Sequence, residues 1–156
     1  MQPSQVFFGL VFLEKHSMQL PHSRIDIQVR FSDLDMLGHV SNSYYAQYFD
    51  LARVTFFRNI EKLYVRRHVQ YVVASVKMDM LREIRFDHSV VVDTWCSKKG
   101  NKSMTIEHVI YANGQKATTC QTVLVGFDRE TRSSTGLPND WQTTDLSGVV
   151  PPSIAT

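Results

Sequence analysis

Residues 23–31 alternate strictly. Ile25, Ile27, Val29 and Phe31 fall on one side, and Arg24, Asp26, Gln28 and Arg30 on the other. That period of two predicts a half-buried strand from Ser23 to Phe31. The pattern then changes. After a loop-like stretch from Asp33 come three acceptable N-caps, Ser41, Asn42 and Ser43, and a helix is expected from there to Asn59. Its polar residues include Gln47, Asp50, Arg53 and Arg58, whereas Tyr44, Tyr45, Tyr48, Phe49, Leu51, Val54, Phe56, Phe57 and Ile60 make most of the remaining surface apolar. So wide an apolar arc suits a helix surrounded by protein, with only a narrow strip in water.

Four long strand-like runs follow: Tyr71–Ile84, Val90–Lys98, Ser103–Tyr111 and Gln115–Asp128. In the third, Met104, Ile106, His108 and Ile110 alternate against Ser103, Thr105, Glu107 and Val109. Gly100-Asn101 marks one turn, and Asn113-Gly114 is a strong type I′ hairpin signal. The proline-bearing tail suggests a short helix around Pro138–Trp141. The order is strand, long buried helix, antiparallel meander, an α+β arrangement. One sheet of five or six strands cannot cover such a helix on all sides, so a second copy is expected to complete the core.

At 156 residues, without repeat or linker, the chain reads as one domain at 23–140, with an N-terminal extension at 1–22 and a C-terminal tail at 141–156. The apolar run Val6–Leu13 is too short to span a bilayer. No basic residue precedes it, and Glu14–Met18 is not a small-residue cleavage site. The extension is expected to pack on a neighbour or fray, and Met18 is an alternative start. A net charge of +2, dispersed along the chain, is too small to argue for nucleic acid, and none is expected as a partner. Cys96 and Cys120 stand in apolar strands with no metal-ligand spacing. They read as reduced, packed thiols, which fits a cytoplasmic enzyme.

Candidate chemistry lies where the first strand ends. Asp35 stands seven residues before Asn42, with Gly38 between them to allow a tight turn. A carboxylate beside a helix N-terminus can act as base or nucleophile while free N–H groups polarise a carbonyl. That pairing would cleave a thioester without metal or cofactor. The competing reading is that Asp33 or Asp35 only forms Asx-turn or capping bonds. His39 by the same logic is a packed or capping residue, and Tyr44 and Tyr45 are core or interface aromatics.

The residues Arg30-Phe31-x-Asp33-x-Asp35-x-x-Gly38-His39-Val40-x-Asn42-x-x-Tyr45-x-x-Tyr48-Phe49-x-x-Ala52-Arg53 resemble the signature of the 4-hydroxybenzoyl-CoA thioesterase-like family of hotdog-fold proteins. The likeness continues to Val125-Gly126-Phe127-Asp128 and Leu137-Pro138, covering roughly residues 24–140. It implies a hotdog fold, with a curved antiparallel sheet of five to six strands wrapped around a long central helix. It also implies homodimers or homotetramers and hydrolysis of acyl-CoA, with CoA entering only as part of the substrate. Under it Asp35 is the catalytic acid, the backbone N–H near Asn42 holds the thioester carbonyl, and His39 supports the site. Ser41 departs from the Asn that many relatives carry there, although it can still cap the helix.

CoA phosphates need cations. Arg82 and Arg85 flank one strand end, and Lys98, Lys99 and Lys102 cluster with Ser103 at the Gly100 turn. Arg66, Arg67 and His68 form a further basic spot. Each lysine also suits an ordinary solvated edge. Tyr45, Phe49, Val73 and Met78 are candidates for lining the acyl pocket. An acyl-carrier protein would suit the same basic mouth. Two other readings stand beside hydrolysis. In a hotdog hydratase four residues separate Asp from His, against three here. A non-catalytic acyl-CoA binding module is the other, since a fold alone does not fix function.

Overall fold

A computed structural model describes residues 17–61 and 69–153. The Val6–Leu13 run and the basic spot Arg66–His68 lie outside those residues. The elements are β1 (Met18–Gln19), β2 (Ser23–Ile27), α1 (Asn42–Glu61), β3 (Val69–Met80), β4 (Val90–Lys99), β5 (Ser103–Ala112), β6 (Gln115–Asp128), β7 (Ser133–Ser134) and β8 (Trp141–Gln142). The sheet runs β2-β4-β5-β6-β3, antiparallel throughout, with β7 appended to β6. This curled five-stranded sheet around one long helix is the hotdog architecture.

Helix α1 has no Gly or Pro to interrupt it. Tyr45, Tyr48, Phe49, Ala52, Phe56 and Ile60 form its buried stripe, spaced three or four apart but for one adjacent pair. Around Tyr45, Tyr48 and Phe49 lies one half of the core, with Ile27, Val90, Val92 and Ile110. Phe56 and Ile60 anchor the other half with Ile106, Leu124 and Trp141. Fully burying each of these large side chains contributes about 1.5–3 kcal/mol. On β5 the inward set is the one the alternation predicts, and His108 among it is bonded to Thr94 Oγ1 through Nδ1 at 2.9 Å.

Two features differ from the sequence reading. The first strand stops at Ile27, and Phe31–Asp33 forms a single 3-10 turn that leaves Phe31 83% exposed rather than inward. The cause is Asp33, whose carboxylate takes the Arg30 N–H and draws the chain out of line. Second, no helix forms at Pro138–Trp141. A turn there leads into β8, which pairs in parallel with β1 and buries Trp141 beside Leu20. As expected for a helix that one sheet cannot enclose, Leu51 and Val54 of α1 are exposed among the described residues.

The two sheet edges differ. Beyond β2, the tail continues the sheet: Thr144 N–H donates to the Cys96 carbonyl and the Cys96 N–H to Thr144 Oγ1, both at 2.9 Å. Arg24 holds buried Asp93 and the Val150 carbonyl on the same side. Among the described residues, β3 pairs only with β6. Its inward residues Val73, Val76 and Met80 are about half exposed. Opposite β3, Gly126 of β6 lets the Thr135 carbonyl pass so close that a β-carbon would meet it at 2.6 Å.

Candidate active site

Two acids define the loop before α1, and they do different things. Asp33 is fully buried. Its Oδ2 accepts the Tyr48 hydroxyl at 2.7 Å and the Arg30 N–H at 2.9 Å, and Arg30 Nε lies 3.3 Å from Oδ1. Burial works against its charge, but Tyr48, the Arg30 N–H and the guanidinium hold the carboxyl below the usual range. Burial first, and Asp33 second, push the Tyr48 phenol well above its ordinary value. The Asp33 carbonyl accepts the Ser41 N–H at 2.8 Å, just ahead of α1. Asp33 thus ties the loop to the helix.

Asp35 is exposed. Its Oδ1 accepts the N–H of Leu37 at 2.8 Å and of His39 at 3.2 Å, so an Asx turn does form. Backbone bonds from Asp35 N–H to the His39 carbonyl and from Gly38 N–H to the Asp35 carbonyl close the turn. Gly38 sits at φ +75°, a region costly for residues with a β-carbon. Val40 N–H donates to the Ile84 carbonyl, and His39 bridges Arg85, so the loop lies along the segment that follows β3. These bonds hold the carboxylate in place without burying it.

A cleft of about 310 Å³ opens here, lined by Asp35, His39, Asn42, Tyr45, Arg82 and Glu83 among others. Asn42 begins α1. The first N–H groups of a helix have no acceptor within it and carry its positive end. Carboxylate and helix start therefore face one space, in which a polarised carbonyl and an activated water could meet. Tyr45 is buried at its edge. Burial pushes its phenol up against the opposing Ile84 N–H, and the charges of Asp35 and Glu83 push the same way.

Of the remaining candidates, Arg82 lines the cleft, while the Arg85 guanidinium is bound to Glu83. Lys98, Lys99, Lys102 and Ser103 lie at the opposite end of the sheet, about 30 Å along β4 and β5. There Lys102 Nζ reaches Ser134 Oγ at 3.2 Å. The single chain does not bring that turn to Asp35. Phe49 is in the core, Met78 packs against it, and Val73 is open on β3. Burial pushes the thiols of Cys96, to about 11, and of Cys120 upward, as befits packed residues. The sequence reading missed Glu83. No motif marks it, and only the pairing of the 39–40 and 84–85 segments brings it to His39.

No group of three or more His, Cys, Asp or Glu among the described residues is arranged to hold a metal ion. No described helix is long and apolar enough to cross a membrane. The model of a thioesterase-like superfamily matches residues 29–146. Among curated proteins, the uncharacterized protein YsmA of Bacillus subtilis (strain 168) is 29% identical over 106 residues, spanning 67% of this chain and 71% of its own. A thioesterase from Thermus thermophilus, solved in complex with coenzyme A and Zn, is 32% identical, with a TM-score of 0.66 over 76% of this chain and 86% of that one. A 4-hydroxybenzoyl CoA thioesterase variant complexed with 4-hydroxybenzoyl CoA shares the fold at 16% identity, with a TM-score of 0.67 over 76% and 94% of the two chains.

Proposed function

Because the chain belongs to the thioesterase-like superfamily, we propose that it hydrolyses an acyl-CoA thioester to a free acid and CoA. The observation that carries this reading is the shared cleft, into which the exposed Asp35 carboxylate and the start of α1 both open. Asp35 takes a proton from water, or attacks directly, and the carbonyl carbon gains an oxygen. The N–H groups at the start of α1, near Asn42, receive the charge that develops on the carbonyl oxygen. The carbon–sulfur bond then breaks, and the sulfur takes up a proton as CoA leaves; where Asp35 is the nucleophile, water then cleaves the acyl–Asp35 anhydride to release the acid and restore the carboxylate. His39 borders the reacting space, and Tyr45 closes its inner side. The scheme uses no metal or cofactor, and CoA takes part only as half of the substrate.

CoA as the carrier is supported by the coenzyme A complex of the Thermus thermophilus relative. Arg82 is the cleft's own cation for a phosphate. An acyl-carrier protein is the second candidate carrier. The edge strand β3, paired only with β6 among the described residues, and the exposed Leu51 and Val54 of α1 support a homo-oligomer. A two-fold-related copy seated along β3 would run antiparallel to it. That copy's own basic turn would then lie at the Asp35 end, which accounts for lysines so far from the cleft in one chain. A cytoplasmic location fits two buried, unpaired cysteines.

The test is thiol release from short, long and aromatic acyl-CoAs, with wild type beside Asp35→Asn. Release that disappears in the folded variant supports the hydrolase. Acyl-CoA binding without release in wild type overturns it in favour of a binding module. A fall in enoyl-CoA absorbance without free thiol overturns it in favour of a hydratase.

A further inference from the structure

Glu83 lies on the segment after β3, at the rim of the cleft. Its two carboxylate oxygens are used differently. Oε2 is 3.1 Å from His39 Nε2, on the loop that carries Asp35. Oε1 accepts from Arg85 Nε at 2.8 Å and Arg85 Nη2 at 2.6 Å. His39 and Arg85 are themselves paired as an antiparallel bridge, and Val40 N–H meets the Ile84 carbonyl next to it. Backbone and side chains therefore clamp the same two segments together. On the loop side, the His39 N–H is one of the two donors to Asp35 Oδ1. The chain of contacts runs from Arg85 through Glu83 to the His39 ring, and from the His39 backbone to Asp35.

We propose that Glu83 is the positioning residue of this site, fixing the Asp35 carboxylate relative to the start of α1 by holding His39 with one oxygen and Arg85 with the other. The proposal rests on the hydrolase reading above and deepens it. Three features support it. Glu83 is at the cleft rim yet does not adjoin Asp35 in sequence, so its position is set by the fold. Arg85 first, with His39 and His88 adding to it, keeps its carboxyl below the usual range, so it stays an anion across the working range of such an enzyme. Finally, Asp35 is exposed, and the two N–H groups that hold its Oδ1 belong to the very loop that Glu83 clamps. A reacting group displaced by about 1 Å loses on the order of a hundredfold in rate, so an outer clamp has a large effect to exert.

Thiol release is measured for Glu83→Ala, Glu83→Gln, His39→Ala and the double variant Glu83→Ala/His39→Ala. Both Ala variants should lower kcat about tenfold and leave KM within about twofold. Glu83→Gln, which keeps an oxygen for His39, should fall between wild type and Glu83→Ala. The double variant should be no slower than the worse single one, because the two residues act as one unit. Independently of activity, hydrogen exchange at the Leu37 and His39 amides should speed about tenfold in Glu83→Ala. Exchange in β4, β5 and β6 should not change. A raised KM with unchanged kcat would make Glu83 a carrier contact and overturn the proposal, as would losses that multiply in the double variant. If wild type releases no thiol, the hydrolase reading fails and exchange alone decides. Faster exchange keeps Glu83 as the clamp of the loop, and unchanged exchange overturns it.

Discussion

Asp33 and Asp35 are the same side chain two residues apart, and the fold gives them opposite work. Asp33 is fully buried, accepts from a hydroxyl and an N–H, and faces a guanidinium. Asp35 is exposed, its Oδ1 engaged by two backbone N–H groups of its own turn and its carboxylate on a cleft. The difference teaches that a carboxylate's role follows from what its oxygens already hold. An acid whose acceptor sites are filled by structural donors cannot easily take a proton from substrate water. One anchored by its own turn and open to solvent can.

Substitutions can break that contrast, and the largest effect belongs to Asp35→Asn. Thiol release should fall about a thousandfold, while chemical denaturation shifts by less than about 0.5 kcal/mol. A large loss of stability in that variant would erase the division of labour. Asp33→Ala should do the reverse. It leaves the Tyr48 hydroxyl and the Arg30 N–H without their acceptor and should cost about 3 kcal/mol in urea unfolding. Tyr48→Phe removes one charge-assisted bond and should cost about 2 kcal/mol in the same measurement. Gly38→Ala forces a β-carbon into positive φ and should cost about 1 kcal/mol. Because that turn carries Asp35, its thiol release should fall by a larger factor than that of Tyr48→Phe.

Acid titration sharpens the same pair. The folded Asp33 carboxyl lies below its unfolded value of 3.8. Its stabilisation is therefore complete above that pH and is lost as pH falls through the lower, folded value. Asp35→Asn should keep this acid loss, and Asp33→Asn should flatten it. Denaturation midpoints between about pH 5 and pH 2 would check both.

Much of this was legible in the chain. Strand-like runs bounded by the Gly100-Asn101 and Asn113-Gly114 turn signals drew β4, β5 and β6 nearly to their ends, and the caps with the wide apolar arc drew α1. Spacing alone could not separate a reacting Asp35 from an acid that, like Asp33, only caps or forms an Asx turn. The family likeness favoured Asp35, and the geometry explains why Asp33 is spoken for. Phe31 was misassigned because alternation cannot register the pull of an acid two residues on. Trp141 was misassigned because the partner that makes it a strand, β1, lies at the other end of the chain. Glu83 was invisible for a related reason, as its meeting with His39 depends on how the two segments pair.

Gly126 gives the molecule a lever. The chain from Thr135 to Leu137 runs over the gap where a β-carbon would stand, held by Thr135 N–H on the Gly126 carbonyl and Leu137 N–H on that of Asn101. Everything downstream takes its bearing from that crossing. Trp141 enters the core just past it, and Thr144 then reaches the flank of β4 beside Cys96. A methyl group added near the end of β6 would thus be felt first in the tail, as a strap lifted from an edge it had sealed.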